Sequence, residues 1–220
     1  MKIYLLSGLG ADERAFENLV FPQHVDTEFI PWITPLKNES LASYALRMSE
    51  AIDETVPFGL AGISLGGMLA VEIAKVKKSE ITILISSTPL SSGIPTYAKW
   101  LGKFRAHQLI PIKQIGEWGI ASWFFGTSSN SESNLIKRFI EKTPSAFLKW
   151  AIDAILKWRN NEIPENVFLI HGSLDKLLPI NRLKPQFIVK NGGHLMVYTK
   201  GKQISEYIAE IMLKLNPHVQ

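Results

Sequence analysis

Short apolar runs alternate with segments of helical periodicity along most of the chain, and this alternation constrains the fold more than any other feature. Such runs, bounded by glycine or polar residues, predict strands that are buried on both faces of a sheet. Six runs predict strands, at residues 2–7, 27–32, 57–64, 80–87, 166–172 and 185–191. Segments with helical spacing lie at 13–20, 40–53, 65–78 and 201–215. The alternation predicts a parallel sheet with right-handed crossovers and helices on both faces.

The alternation stops between Thr88 and Pro164. Four helical segments are predicted there instead, at residues 96–109, 112–125, 131–142 and 144–158. For the last of them, Thr143 is a candidate N-cap and Pro144 takes the first helical position, where a missing N–H removes no helical hydrogen bond. The sequence therefore predicts an α/β core that carries a helical insertion.

Composition narrows the chemistry that the chain can perform. The 220 residues include no cysteine, which excludes disulfides, thiolate catalysis and cysteine-based zinc sites. The net charge of +4 comes from scattered lysines and arginines, and the densest group, at 75–78, closes a helix, where cations stabilise the helix dipole. The charge therefore indicates no nucleic-acid partner.

The first residues of the chain do not have the pattern of a signal peptide. Asp12 and Glu13 interrupt a short apolar run, and no small-residue cleavage site follows it. No other apolar run approaches the roughly 20 residues that span a bilayer. We therefore expect a cytoplasmic protein without a membrane span; the sequence does not indicate its oligomeric state.

Three glycines surround Ser64 at the point where a predicted strand becomes a predicted helix. Gly62, Ser64 and Gly66 form the pattern G-x-S-x-G, in which small residues let the strand and helix approach closely while a sharp turn exposes the hydroxyl. The turn also places the Leu65 amide at the start of a helix, where a developing anion is stabilised. The alternative is that the glycines serve packing only and that Ser64 caps the helix.

A serine hydroxyl is a weak nucleophile unless a base removes its proton. Of the five histidines, His171 and His194 follow predicted strands, at the carboxyl edge where the ligands of open α/β sheets gather. His194 is the candidate base, because Gly192 and Gly193 permit a tight turn that can hold its ring over the sheet. His171 still belongs to its strand and is predicted to be a structural histidine.

The base needs an acid that orients it and stabilises its charged form. Asp175 follows the fifth predicted strand and precedes His194, so the chain order is serine, aspartate, histidine, as G-x-S-x-G folds require. A second oxyanion donor is expected in the loop after the first strand, where the Leu9 amide is the candidate. A phosphate-binding G-x-G-x-x-G string fails there, because Glu13 stands at the third glycine position.

Four segments together resemble the α/β-hydrolase superfamily. They are SGLGADERAF (7–16, the oxyanion loop), GISLGG (62–67, the elbow), HGSLDKLLP (171–179, the acid loop) and GGHLM (192–196, the histidine loop). The resemblance implies a compact α/β-hydrolase fold, with a parallel sheet of about six strands flanked by helices. It also implies a Ser-His-Asp triad and a helical lid at 89–164, inserted in a core formed by 1–88 and 165–220.

The sequence departs from the family pattern at two places. Ser7 stands where the family usually has a histidine before the first glycine of the oxyanion loop. The first predicted strand also resembles the family's central strand, so we expect a small sheet without the usual first hairpin. Neither departure removes a predicted member of the triad.

The resemblance implies a serine hydrolase that acts on a small ester or thioester through an acyl-enzyme on Ser64, with no cofactor and no metal. The alternatives are a receptor-like ligand-binding protein with slow or no turnover, and a C–C hydrolase or lyase that uses the same triad. Five of the six tryptophans lie in the predicted lid. We expect at least one of Trp123, Phe124 and Phe125 to line an apolar acyl pocket over Ser64; the alternative is that these rings only pack the lid.

Overall fold

The computed structural model describes residues 1–98, 134, 137–139 and 141–215. Six parallel strands form one sheet in this part of the chain, in the order β2-β1-β3-β4-β5-β6. They are β1 (Lys2–Leu6), β2 (Asp26–Phe29), β3 (Phe58–Ile63), β4 (Ile81–Ile85), β5 (Val167–Gly172) and β6 (Phe187–Val189). The prediction of a six-stranded parallel sheet is confirmed.

Helices cover both faces of this sheet. They are α1 (Leu41–Met48), α2 (Leu65–Val76), α3 (Ser145–Lys157), α4 (Met196–Thr199) and α5 (Gly201–Leu215). Short 3-10 turns occur at Glu13–Phe16, Ser49–Ala51, Ser91–Gly93 and Ile180–Arg182. The side chain of Ser40 accepts a hydrogen bond from the Ser43 amide, so Ser40 caps α1.

Two predicted helix starts differ from the structure. The segment predicted as a helix at 13–20 forms only a 3-10 turn, because the Val20 amide donates to Ser205 Oγ on α5 (2.9 Å) instead of to its own turn. At α3, Thr143 is not the N-cap, since the helix begins after Pro144 and Thr143 Oγ1 donates to the carbonyl of Phe139 at 2.6 Å.

The two faces of the sheet bury two separate apolar layers. Along β1, Tyr4 and Leu6 belong to the layer under α1, α2 and α3, whereas Ile3 and Leu5 belong to the layer under α4 and α5. This alternation is the two-residue period of a strand. Helices cover both faces of the sheet, so its carboxyl edge is where polar side chains can be accommodated.

Trp150 of α3 and Trp158, which follows its last residue, contact the core. The ring centroids of Trp150 and Tyr44 lie 4.3 Å apart, and Trp150 Nε1 donates to the carbonyl of Glu39. Trp158 is buried, and its Nε1 donates to Glu72 Oε1 at 2.6 Å. These contacts attach α3 firmly to the layer of α1 and α2. The division into a core at 1–88 and 165–220 and a lid at 89–164 stays a prediction.

Among the residues that the structure describes, none of the helices has the length and apolar character needed to cross a membrane. The cytoplasmic location stays a prediction.

Candidate active site

Ser64 occupies the turn between β3 and α2 in a strained backbone conformation. Its φ of 51° and ψ of −116° lie where residues other than glycine are rarely found. A side chain at Gly62 would collide with the carbonyl of Gly66, and one at Gly66 would collide with the carbonyl of Leu6. Both glycines are therefore required by the close approach of strand and helix, as the G-x-S-x-G pattern predicts.

Ser87, which follows β4, braces this turn from the neighbouring strand. Its Oγ donates to the Ser64 carbonyl at 2.6 Å, and a side chain at Gly67 would meet its Oγ at 2.5 Å. The role of Ser87 was not predicted from the sequence. The only signal was a pair of small polar residues at the end of a buried strand, and that signal does not specify a partner.

The three residues predicted to form a triad lie in hydrogen-bond contact. His194 Nε2 lies 2.9 Å from Ser64 Oγ, and His194 Nδ1 lies 2.8 Å from Asp175 Oδ2. Since a carboxylate only accepts, the Nδ1 proton of His194 is directed to Asp175. The Nε2 lone pair is then left to face the serine hydroxyl. This arrangement can take a proton from Ser64.

Asp175 is buried, and its environment keeps it ionised. Burial by itself raises the pKa of this carboxyl. The attraction and hydrogen bond of His194, the nearby His171 and the Leu178 amide together outweigh that effect and lower the pKa below its usual range. Asp175 Oδ1 accepts from the amides of Leu177 and Leu178, both at 2.9 Å. The carboxylate is thus oriented by its own loop before it meets His194.

His171, predicted as a structural histidine, is fully buried beside the acid loop. Its Nε2 lies 2.8 Å from the carbonyl of Leu178 and 3.4 Å from Asp175 Oδ2, while its Nδ1 has no hydrogen-bond partner in the described part of the chain. Burial lowers the pKa of His171, although Asp175 and the Leu178 carbonyl favour its charged form. The contact with Asp175 was not predicted from the sequence.

The predicted oxyanion loop passes close to the turn at Ser64. A Cβ at Gly8 would lie 3.6 Å from the Cβ of Ser64, so the loop that carries Leu9 is in contact distance of the serine. Leu65 is the first residue of α2, and its N–H has no partner within the helix. The two predicted oxyanion donors therefore lie on segments that flank Ser64.

Ser7, where the resemblance implies a histidine, contacts the predicted oxyanion loop through its hydroxyl. Its buried Oγ donates to the carbonyl of Ala11 at 2.7 Å. The same carbonyl accepts from Trp32 Nε1 at 2.8 Å. The loop is therefore closed on itself and anchored to the segment after β2.

A cavity of about 270 Å³ opens at Ser64 and His194. Its described lining is apolar apart from these two residues and Tyr198, and includes Leu9, Met68, Ile94, Phe139, Ile155 and Leu177. None of its described lining residues is Asp, Glu, Lys or Arg. Phe139, Ile155 and Tyr198 were not predicted as lining residues, because periodicity indicates burial without indicating what a side chain packs against.

The predicted pocket residues Trp123, Phe124 and Phe125 lie outside the described residues, and their role stays a prediction. Within the described residues, no cluster of three or more His, Asp or Glu side chains is placed to hold a metal ion.

The chain has close structural similarity to solved enzymes at low sequence identity. One is a thermophilic esterase from Thermogutta terrifontis, with 16% identity and a TM-score of 0.68 over 98% of this chain and 90% of the esterase. A second is MenH from S. aureus, with 15% identity and a TM-score of 0.72 over 98% of this chain and 94% of MenH. A third is an epoxide hydrolase from Bacillus megaterium, with 10% identity and a TM-score of 0.66 over 96% and 93% of the two chains. The sequence matches no protein-family model and no curated protein.

These three structures are α/β-hydrolases, and each aligns with nearly the whole chain. At such identities the similarity concerns the fold, and a fold by itself does not specify an activity. The parallel sheet, the strained turn at its carboxyl edge and the alignment over the full length agree with one another. The chain therefore has the α/β-hydrolase fold.

Proposed function

We propose that the protein is a serine hydrolase that cleaves a small ester or thioester through an acyl-enzyme on Ser64. One observation carries the proposal. Ser64 Oγ, the His194 ring and the Asp175 carboxylate form a continuous hydrogen-bonded chain, with distances of 2.9 Å and 2.8 Å. That chain ends at a serine on a strained turn, which lines an apolar cavity.

In the first half-reaction, Ser64 Oγ attacks the substrate carbonyl carbon while His194 Nε2 takes the hydroxyl proton. The ionised Asp175 stabilises the imidazolium that forms and keeps the proton on Nδ1. His194 then gives the Nε2 proton to the leaving alcohol or thiol as the tetrahedral intermediate collapses. The products of this step are the free leaving group and an acyl-serine.

In the second half-reaction, water replaces the leaving group. His194 removes a proton from the water, the hydroxide oxygen attacks the acyl carbon, and the proton returns to Ser64 Oγ as the acid departs. In both steps the amides of Leu9 and Leu65 receive the negative charge that develops on the carbonyl oxygen. A donor of this kind typically contributes about 3 kcal/mol to stabilising the transition state.

The experiment that tests the proposal combines an active-site label with turnover. The purified protein is treated with a fluorophosphonate probe and then assayed on p-nitrophenyl esters of increasing acyl length. Rapid labelling with turnover supports the hydrolase, whereas labelling without turnover supports the receptor-like alternative. C–C bond hydrolysis without ester turnover would support the other alternative.

Two serine variants make this test specific. Ser64→Ala should abolish labelling and lower kcat by something on the order of a million-fold, as single losses from such triads can. Ser145→Ala is the matched control, because Ser145 is exposed at the start of α3. It should be labelled like the parent. Hydrolysis of p-nitrophenyl acetate by Ser64→Ala at the parent rate would show that Ser64 is not the nucleophile.

A further inference from the structure

Both polar backbone atoms of Ser64 are held by the chain that leaves β4. Its N–H donates to the carbonyl of Ile85, the last residue of β4, at 3.0 Å. Its carbonyl accepts from Ser87 Oγ, a buried hydroxyl, at 2.6 Å. The end of β4 therefore fixes the backbone of the proposed nucleophile on both sides of its Cα.

This pair of contacts acts on a conformation that needs support. The φ of 51° and ψ of −116° at Ser64 persist only where the surrounding structure over-determines them. The torsion ψ decides where the Ser64 carbonyl points, and three donors converge on that oxygen. They are the amides of Gly67 and Met68, at 3.0 Å and 3.3 Å, and Ser87 Oγ at 2.6 Å. The two amides belong to α2 and move with it, whereas Ser87 ties the same oxygen to a different element.

The carbonyl of Ser64 and the N–H of Leu65 belong to one peptide unit. A planar trans peptide directs its C=O and its N–H to opposite sides. Leu65 is the first residue of α2, and its N–H has no partner within the helix. A hydroxyl that fixes the carbonyl on one side of this peptide therefore also fixes the direction of the N–H on the other side.

The space around Ser87 suits its side chain closely. A Cβ at Gly67 would lie 2.5 Å from both the Cβ and the Oγ of Ser87, so glycine at that position leaves the room that the hydroxyl occupies. The preceding residue, Ser86, is equally buried, but its Oγ has no hydrogen-bond partner in the part of the chain that the structure describes. Of these two neighbouring hydroxyls, the one that bonds to the turn at Ser64 is that of Ser87.

We propose that Ser87 is a positioning residue for the oxyanion: by holding the Ser64 carbonyl, its hydroxyl aims the Leu65 N–H at the place where the substrate oxygen becomes negative. Ser87 is not among the described residues that line the cavity, so it acts through the peptide and not on the substrate. A donor that is aimed in advance stabilises the transition state without the cost of reorganisation. The inference rests on the proposed function, in which the Leu65 amide receives this charge.

Ser87→Ala tests the proposal, because it removes the hydroxyl and keeps the Cβ. The value of kcat for p-nitrophenyl esters is expressed per active site, titrated to completion with the fluorophosphonate probe, so that an unfolded fraction does not count as lost catalysis. It should fall about tenfold, a part of the roughly hundredfold or more that loss of a whole oxyanion donor costs. KM should change by less than about twofold, because the contact forms mainly in the transition state.

Inhibition by an alkyl trifluoromethyl ketone measures the oxyanion site itself. Ser64 Oγ adds to the ketone carbon, the hydroxyl proton passes to His194, and the ketone oxygen becomes an anion like that of the tetrahedral intermediate. In Ser87→Ala the inhibition constant Ki should rise by about the factor by which kcat falls. Because Ki is a property of the folded molecules, a merely structural role of Ser87 would lower the melting temperature and leave Ki unchanged.

Ser86→Ala is the matched control. It removes the neighbouring buried hydroxyl and keeps a Cβ on the same backbone, whose φ is 48°, and it should keep the kcat, KM and Ki of the parent. The proposal is overturned if Ser87→Ala equals the parent per titrated site, if its loss appears in KM alone, or if kcat falls while Ki stays unchanged. Thermal unfolding is measured for both variants.

The rate of labelling by the fluorophosphonate separates this inference from the proposed reaction, since the phosphoryl oxygen takes the place of the substrate carbonyl oxygen. If the parent is labelled but hydrolyses no ester, the proposed function fails. The inference then stands if Ser87→Ala is labelled about tenfold more slowly, and fails if it is labelled at the parent rate. If esters are hydrolysed and Ser87→Ala equals the parent in kcat, Ki and labelling, the inference fails and the proposed function stands. A parent that neither hydrolyses esters nor reacts with the probe overturns both.

Discussion

His171 Nε2 lies 3.4 Å from Asp175 Oδ2, and both side chains are shielded from solvent. The same carboxylate oxygen accepts from His194 Nδ1 at 2.8 Å, so one oxygen of Asp175 faces two imidazoles. His171 also donates to the Leu178 carbonyl, in the turn whose amides bind the other carboxylate oxygen. A histidine outside the predicted triad therefore helps to hold the acid loop in position.

The first prediction concerns the stability of the folded state as pH falls. The pKa of His171 in the folded protein lies below its ordinary value of 6.5, so in the window below pH 6.5 the unfolded chain binds a proton that the folded chain does not. The free energy of unfolding should therefore fall with decreasing pH in that window, by up to about 1.4 kcal/mol per pH unit. Asp175 causes a second decrease in the free energy of unfolding at lower pH. Its folded pKa lies below 3.8, so its contribution is complete above that value and is lost as pH falls through the folded pKa.

Urea unfolding between pH 5 and 8 measures how the free energy of unfolding changes across the first of these pH windows. His171→Gln should flatten the pH dependence there, because the replacement does not titrate. His24→Gln, which changes an exposed histidine, should keep the slope of the parent. A slope that is unchanged in His171→Gln would assign the acid sensitivity to another group.

The second prediction separates the roles of the two buried histidines. His194→Ala should lower kcat nearly as much as Ser64→Ala, since it removes the base that contacts the hydroxyl at 2.9 Å. His171→Ala should mainly lower stability, by roughly 2–5 kcal/mol, because it leaves a cavity and an unpaired Leu178 carbonyl. Steady-state kinetics and chemical unfolding are measured for both variants. Equal catalytic losses at unchanged stability would contradict this assignment.

The third prediction concerns the elbow glycines. Gly66→Ala should destabilise the fold by about 3 kcal/mol or more, because its Cβ would collide with the backbone carbonyls of Leu6 and Ser7, which cannot move without shifting β1. Gly8→Ala is the matched control for stability, since its Cβ would meet no atom closer than 3.6 Å. Denaturant midpoints compare the two. Similar midpoints would mean that the strand and helix can separate at little cost.

The sequence predicted most of the fold because burial leaves a periodic trace. All six strands were found, and the errors fall at their ends, as where the strand predicted at 27–32 stops at Phe29, before Pro31. Pro31 has no N–H to donate to a neighbouring strand. The proximity of Ser64, Asp175 and His194 could be predicted because parallel strands bring their carboxyl ends to one edge of the sheet.

The contacts that the sequence did not reveal are those between side chains of distant segments. The approach of His171 to Asp175 depends on how the acid loop turns back over β5, and the hydroxyl of Ser87 meets Ser64 only because β4 lies beside β3. Periodicity indicates which residues are buried, whereas partners depend on tertiary geometry.

The last prediction concerns the aromatic residues Trp123, Phe124 and Phe125. The apolar lining of the cavity at Ser64 suits an acyl chain, and pockets for small ligands are lined mainly by apolar and aromatic side chains. We predict that truncating at least one of the three to Ala raises the ratio of kcat/KM for longer acyl esters over acetate, because the pocket is extended. Trp158→Phe is the control for a packing tryptophan: it removes the N–H that binds Glu72, and should lower the melting temperature without changing that ratio. All three truncations could instead lower kcat/KM for every ester by the same factor, in step with the melting temperature. In that case these rings only pack the lid, as Trp150 and Trp158 pack α3 on the core.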